Sequence, residues 1–179
     1  MPHIHDQPGQ YDVTVSGYTF RDDGDEPRVL LHWHKILKCW MQFGGHVELH
    51  ENPWQALAHE LREESGYDLG QLRLLQPRLP RITSSPDKAI FHPYPVAVLS
   101  VPFPDIDHYH TDIAYALMTA EEPRHHIGQD ESADIRLFTR SEIAALDDSS
   151  IIPNVRQIIL YIFDECLPHW AQITADSWR

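Results

Sequence analysis

One segment leaves this chain little choice about its fold. Asn52-Pro53 opens it and Gly66 closes it. Between them Trp54, Leu57, Ala58 and Leu61 recur at i, i+3, i+4 and i+7, the apolar stripe of a helix packed on one side. Asn52 is a capping residue, Pro53 suits the first helical position, and Gln55 stands where a capping box needs it. Gly66 is a stop, because glycine adopts a left-handed backbone without strain. The preceding residues carry the other periodicity. Tyr11 to Phe20 alternates and is rich in β-branched and aromatic residues, RDDGDEP supplies a turn, and Arg28 to Leu37 resumes as a second strand of a hairpin. Within that strand Val29, Leu31 and Trp33 share one face, and Leu30, His32 and His34 the other. A one-sided helix among such strands must lie on a sheet, so the expected class is α/β.

Gly44-Gly45 is expected to break the strand pattern ahead of the helix. Downstream, Leu72–Leu79, Ala89–Val101 and Ile106–Met118 read as extended segments, with a proline-rich polar loop up to Lys88. EEPRHHIGQDES reads as a loop, ADIRLF as a short strand, and Thr139 with Glu142 as a second capping box opening a short helix. A last helix carries Val155, Ile158, Ile159, Ile162 and Cys166 on its buried side and is expected to end at Pro168. With no internal repeat or linker-like tract, the 179 residues read as a single domain, the first ten forming a polar N-terminal segment.

The formal net charge of −13 sets up repulsion towards nucleic acid and anionic membrane surfaces, so neither is an expected partner. A small phosphate compound is still accessible if divalent cations bridge it to protein carboxylates. Cys39 and Cys166 form no C-x-x-C pair, and no apolar run is long enough to span a bilayer. A soluble, cytoplasmic protein is the expectation.

The chemistry concentrates on the first helix. Glu60, Glu63 and Glu64 follow i, i+3, i+4 spacing in its last turn, where carboxylates repel one another and face the negative end of the helix dipole. A divalent cation would compensate them, whereas the plain alternative is a solvated acidic surface beside Arg62.

The surrounding residues decide between these. Gly45 to Tyr67, GHVELHENPWQALAHELREESGY, closely resembles the Nudix box, G-x5-E-x7-R-E-U-x-E-E-x-G-U with U a bulky apolar residue. Gly45, Glu51, Glu60, Leu61, Glu63, Glu64 and Gly66 fall in register, and Tyr67 stands at the final bulky position. The resemblance implies an α/β/α sandwich with a mixed central sheet. It also implies a pyrophosphohydrolase that uses Mg²⁺, with Mn²⁺ able to replace it, on a nucleoside diphosphate linked to another moiety. By the same resemblance Glu60, Glu63, Glu64 and the Gly45 carbonyl would hold the metal. A water would attack phosphorus, and Glu131 would serve as a further ligand or base. Homodimers are frequent in the family. The alternative within it is a catalytically silent nucleotide-binding sensor, a class in which the glutamates are normally eroded. One position departs from the pattern: His59 stands where the family has an arginine that pairs with the first glutamate, here Glu51. An imidazole lacks the bidentate fork, and its charge follows pH, so a slower or more pH-sensitive enzyme is expected.

Outside the box, His32 with His34 and His108 with His110 are i, i+2 pairs, each presenting two imidazoles on one strand face. They are candidate substrate contacts, and their spacing also suits a transition metal, with His92 as a further member. Arg78, Arg81 and Lys88 are candidate phosphate clamps, and Trp33, Trp40 and Tyr109 candidate base-stacking residues. Pro80 is only an approximate counterpart of a proline that accompanies ADP-ribose use in some family members, so the substrate is left open.

Overall fold

The computed structural model describes residues 4–5, 7–80, 82, 85–103 and 107–178. Strand β1 (Tyr11–Arg21) is the centre of a nine-stranded sheet built with β2 (Arg28–His34), β3 (Cys39–Met41), β4 (Phe43–His46), β5 (Arg73–Gln76), β6 (Ala97–Phe103), β7 (His108–Thr119), β8 (Ile135–Phe138) and β9 (Ala171–Thr174). The path runs β3-β2-β1-β7-β5-β9, with β4 on β1, β6 on β7 and β8 on β2. β1 and β7 lie parallel along their whole paired length, from Tyr11↔Tyr109 to Arg21↔Thr119, while the other strand pairs are antiparallel. The sheet is therefore mixed. It also branches: one edge of β1 serves β2 at Thr19–Arg21 and β4 at Thr14–Gly17.

Alternation along β1 sends its residues to two cores. Val15 joins Leu30, Phe43, Tyr115 and Leu117 beneath α1 (Pro53–Ser65), which contributes Trp54, Leu57 and Leu61. Tyr18 and Phe20 face the other way, with Val29, Leu31, Ala114 and Ala116, towards α2 (Arg140–Ala145) and α3 (Pro153–Tyr161). Helices thus cover both faces, the layered arrangement expected from the sequence. Among the described residues no helix is long and apolar enough to cross a membrane.

α1 has the expected limits. Asn52 accepts hydrogen bonds from the Trp54 and Gln55 amides, Gln55 reaches back to the Asn52 amide, and Gly66 caps the C-terminus at φ 76°. Thr139 caps α2 through a second box.

Elsewhere the boundaries are corrected. β2 stops at His34: the chain turns back through Ile36 and Leu37, both exposed, and Lys38 bonds to the His34 carbonyl. Gly44-Gly45 does not interrupt the sheet but lies inside β4, because Gly44 takes a φ of +145° that a side chain would obstruct. β5 is shorter than Leu72–Leu79, since Pro77 has no amide to donate. Of Ala89–Val101 only the part from Ala97 onward is strand. Pro168 does not end the last helix. A π turn (Ile162–Cys166) follows α3, with the Leu167 amide reaching the Ile162 carbonyl, and α4 (Leu167–His169) carries the chain past the proline into β9. The shifted bonding moves the ladder around the amide that Pro168 lacks.

Candidate active site

Three elements bring the carboxylates together. Glu60 and Glu64, one turn apart on α1, are both buried beneath the helix, whereas Glu63 is 57% exposed. Glu64 Oε2 accepts a 2.7 Å hydrogen bond from the Gly44 amide, which brings α1 against the backbone of β4. The close approach of β4 to β1 at this point requires glycine: a Cβ on Gly44 would lie 2.0 Å from the Val15 carbonyl oxygen. Gly45, the next residue, pairs with Val15 of β1.

The third contribution comes from the loop after β7. The last carbonyls of a helix have no partner within it, and here the loop supplies them. The Arg124 and His125 amides donate to the Gly66 carbonyl at 3.1 and 3.0 Å, and Gly128 donates to that of Glu63 at 2.8 Å. Glu131 follows, its amide bonded to Gly128, while Lys35 Nζ donates to the carbonyls of Asp130 and Glu131. The Glu131 charge consequently acts on Glu60, Glu64 and His34.

Burial pushes the Glu60 carboxyl up to about 7; His59 opposes the shift, and Glu131, Glu63 and Glu51 add to it. Burial also pushes Glu64 up to about 9, against the Gly44 hydrogen bond and with Glu60, Glu131 and Glu63 adding. His32 Nδ1 lies 3.9 Å from Glu64 Oε1, but burial, with His34 beside it, lowers its pKa to about 4. This imidazole is therefore neutral at physiological pH and brings no countercharge. Buried oxygen donors at one point, short of positive charge, are the donor set of a hard divalent cation. The residues present fit such an ion.

A family comparison decides what this arrangement is. The NUDIX domain matches residues 10–155. The chain belongs to the NUDIX family. Its fold is shared with a NUDIX-family hydrolase from Clostridium perfringens, at 25% identity and TM-score 0.69 over 86% of this chain and 96% of that one. It is also shared with the C. elegans Ap4A hydrolase, at 13% identity and TM-score 0.57 over 83% and 92%. The NUDIX domain of Shewanella oneidensis NrtR, solved with ADP ribose, aligns at 13% identity and TM-score 0.57 over 83% and 84%. Among curated proteins, none matches the chain.

In this NUDIX pyrophosphohydrolase the imidazole of His59 spans two carboxylates. Its Nε2 is 3.2 Å from Glu63 Oε1, and its Nδ1 is 3.7 Å from Glu51 Oε2, beyond hydrogen-bond length. Glu51 is instead held by the Glu48 amide at 3.1 Å. Partial burial lowers the His59 pKa, but Glu63, Glu60 and Glu51 outweigh it and the net shift is upward.

The other sequence candidates separate. His32 and His34 stand beside the glutamates. His108 and His110 do not accompany them: they project from the opposite face of the sheet and gather with Asp12 and His46, two residues that stand at no fixed position of a motif in the sequence. The only signal for that pair was the strand alternation that puts Asp12 in the same set as Tyr18. His92 lines a small cavity with Ile82, Phe91, Tyr94 and Trp178. Arg78 donates to the His169 carbonyl at the end of α4, and Arg81 lies outside the described residues. Lys88 is exposed, with φ at 66°. Trp40 is buried against Trp33 and Phe138, and Tyr109 stacks on Tyr11, so these rings are already packed.

Proposed function

We propose that this enzyme hydrolyses a pyrophosphate bond in a nucleoside diphosphate linked to a second moiety. In this reading it depends on Mg²⁺, or Mn²⁺ in its place, held by Glu60, Glu63, Glu64 and the Gly45 carbonyl. The reading is carried by the burial of Glu60 and Glu64 one turn apart, with the Gly44 amide on one and the Glu131 charge acting on both. When bound, such cations neutralise the diphosphate and make the attacking water more acidic. Glu131, on a loop pinned to the end of α1, receives the proton that this water loses. His32, neutral and buried beside Glu64, leaves the local charge unaltered. His59, 3.2 Å from Glu63 Oε1 and drawn by the Glu51 charge, holds the exposed Glu63 in place. The products are two phosphate-bearing fragments.

The nucleotide character of the substrate is supported by structural neighbours named for Ap4A hydrolysis and for an ADP-ribose complex. Both cysteines are free and buried, in keeping with a cytoplasmic setting. The test is incubation of the purified chain with nucleoside triphosphates, ADP-ribose, dinucleoside polyphosphates and nucleotide sugars, each with Mg²⁺, Mn²⁺ or chelator, followed by product separation. Cation-dependent release of two phosphate-bearing fragments from one class is the expected result. Tight nucleotide binding without turnover, with either cation, would refute hydrolysis and leave a silent binding module.

A further inference from the structure

The face of the sheet away from α1 holds a second cluster of metal-ligating side chains. Asp12 pairs in register with His110 across the parallel β1/β7 junction, and Thr14, two residues along the same face, pairs with His46 of β4. Alternation puts Asp12 and His110 on the side of Tyr18 and Ala114, the core away from α1, and His46 with them. The donor atoms of Asp12, His46 and His110 all lie within 4.8 Å of one another. His46 Nε2 is 3.4 Å from Asp12 Oδ2. Bonds of about 2.0 Å in a tetrahedral zinc site put neighbouring ligand atoms roughly 3.3 Å apart, so this pair already has the separation that a shared ion imposes.

The carboxylate is also held as a ligand needs to be. Asp12 is fully buried, and its oxygens accept from the amides of Ile4 and His5 at 2.9 and 3.0 Å. His5 Nδ1 lies 2.7 Å from Oδ1, and His108 Nε2 lies 3.2 Å from Oδ2. Such outer partners orient a metal-binding carboxylate. His110 is half-buried, its ring beside those of His46 and Phe103 at centroid distances of 4.8 and 4.5 Å.

We propose that Asp12, His46 and His110 form a binding site for a borderline transition-metal cation of the Zn²⁺ type, separate from the glutamate site on the other face. Two imidazoles and one carboxylate select such ions over Mg²⁺, whose preference is for oxygen. The ion would tie together β1, β4 and β7 at the end of the sheet, one residue beyond Gly45.

The test titrates Zn²⁺, and separately Co²⁺, into the full chain with Mg²⁺ in large excess, reading affinity by calorimetry and coordination by the Co²⁺ visible spectrum. One equivalent should bind, with the spectrum of a low-coordinate nitrogen and oxygen site. His110→Ala, on a half-buried side chain, should weaken binding at least about 100-fold, the upper end of what even an outer-shell change costs. Glu64→Gln should leave the affinity within about threefold. No binding in excess Mg²⁺ would overturn the proposal, as would loss in Glu64→Gln with retention in His110→Ala. In the unsubstituted protein, the imidazole nitrogen resonances of His46 and His110 should shift with one equivalent of Zn²⁺. Unmoved resonances would also overturn it, whatever the variants do.

Discussion

Glu64 is a buried carboxylate on which the charges of Glu60, Glu131 and Glu63 all act. Unfolded, it and Glu60 ionise near 4.5; folded and without cation they hold their protons up to about 9 and about 7. An acid whose folded pKa is raised favours folding below its unfolded value, and that stability is lost as pH rises towards the folded value. The metal-free enzyme should therefore lose stability between pH 5 and pH 8. Glu64→Gln, which keeps an acceptor for the Gly44 amide, should lose less. Thermal unfolding with chelator checks this: the variant should gain on wild type by at least ~2 °C at pH 8, the shift made by ~1 kcal/mol in a chain of this size, and by nothing measurable at pH 5. Mg²⁺ should raise the wild-type Tm more at pH 8 than at pH 5. At His59 the prediction concerns catalysis. His59→Arg restores a permanent charge and a fork that reaches Glu51 and Glu63 together. It should raise kcat at pH 8 several-fold, roughly 1 kcal/mol of transition-state energy, and flatten the pH profile. An unchanged profile would show that His59 does not position these carboxylates.

At the scale of elements, α1 and the loop after β7 form one unit. Gly66 is in the left-handed region, and a Cβ there would lie 2.2 Å from the His125 carbonyl oxygen. Gly66→Ala should cost at least about 2 kcal/mol. Because Gly128 and Glu131 hang from the same helix end, it should also lower turnover in the population that remains folded. Denaturant unfolding and kcat, measured together, check both effects. The helix itself was legible in the chain, since Asn52, Gln55, the apolar stripe and Gly66 are local signals that agree with one another. β4 was not. Gly44 and Gly45 look like a break, and only the Val15 backbone in close approach makes them strand. The π turn at Ile162–Cys166 was hidden for a similar reason, as Pro168 reads locally as a stop.

For the whole molecule, the parallel pairing of β1 with β7 matters most. It joins residues almost a hundred positions apart, a relation that periodicity does not reveal, and it brings Asp12 to His110, with His46 added by β4, as well as forming the two-sided core. The glutamates could be read in advance because one helix turn holds them. Glu131 was within reach only through resemblance, since a loop bonded to that helix brings it in. The two faces of the sheet carry different donor sets: buried carboxylates under α1, and Asp12 with imidazoles opposite. The central claim is that the glutamates of α1 drive cation-dependent hydrolysis. Its most direct test is turnover of the best nucleotide substrate by wild type and Glu64→Gln across a Mg²⁺ titration. The wild type should show saturable activation, and the variant, with its fold intact, a loss of at least about 100-fold in kcat. Equal turnover by the two proteins, or activity that persists in chelator, would contradict it.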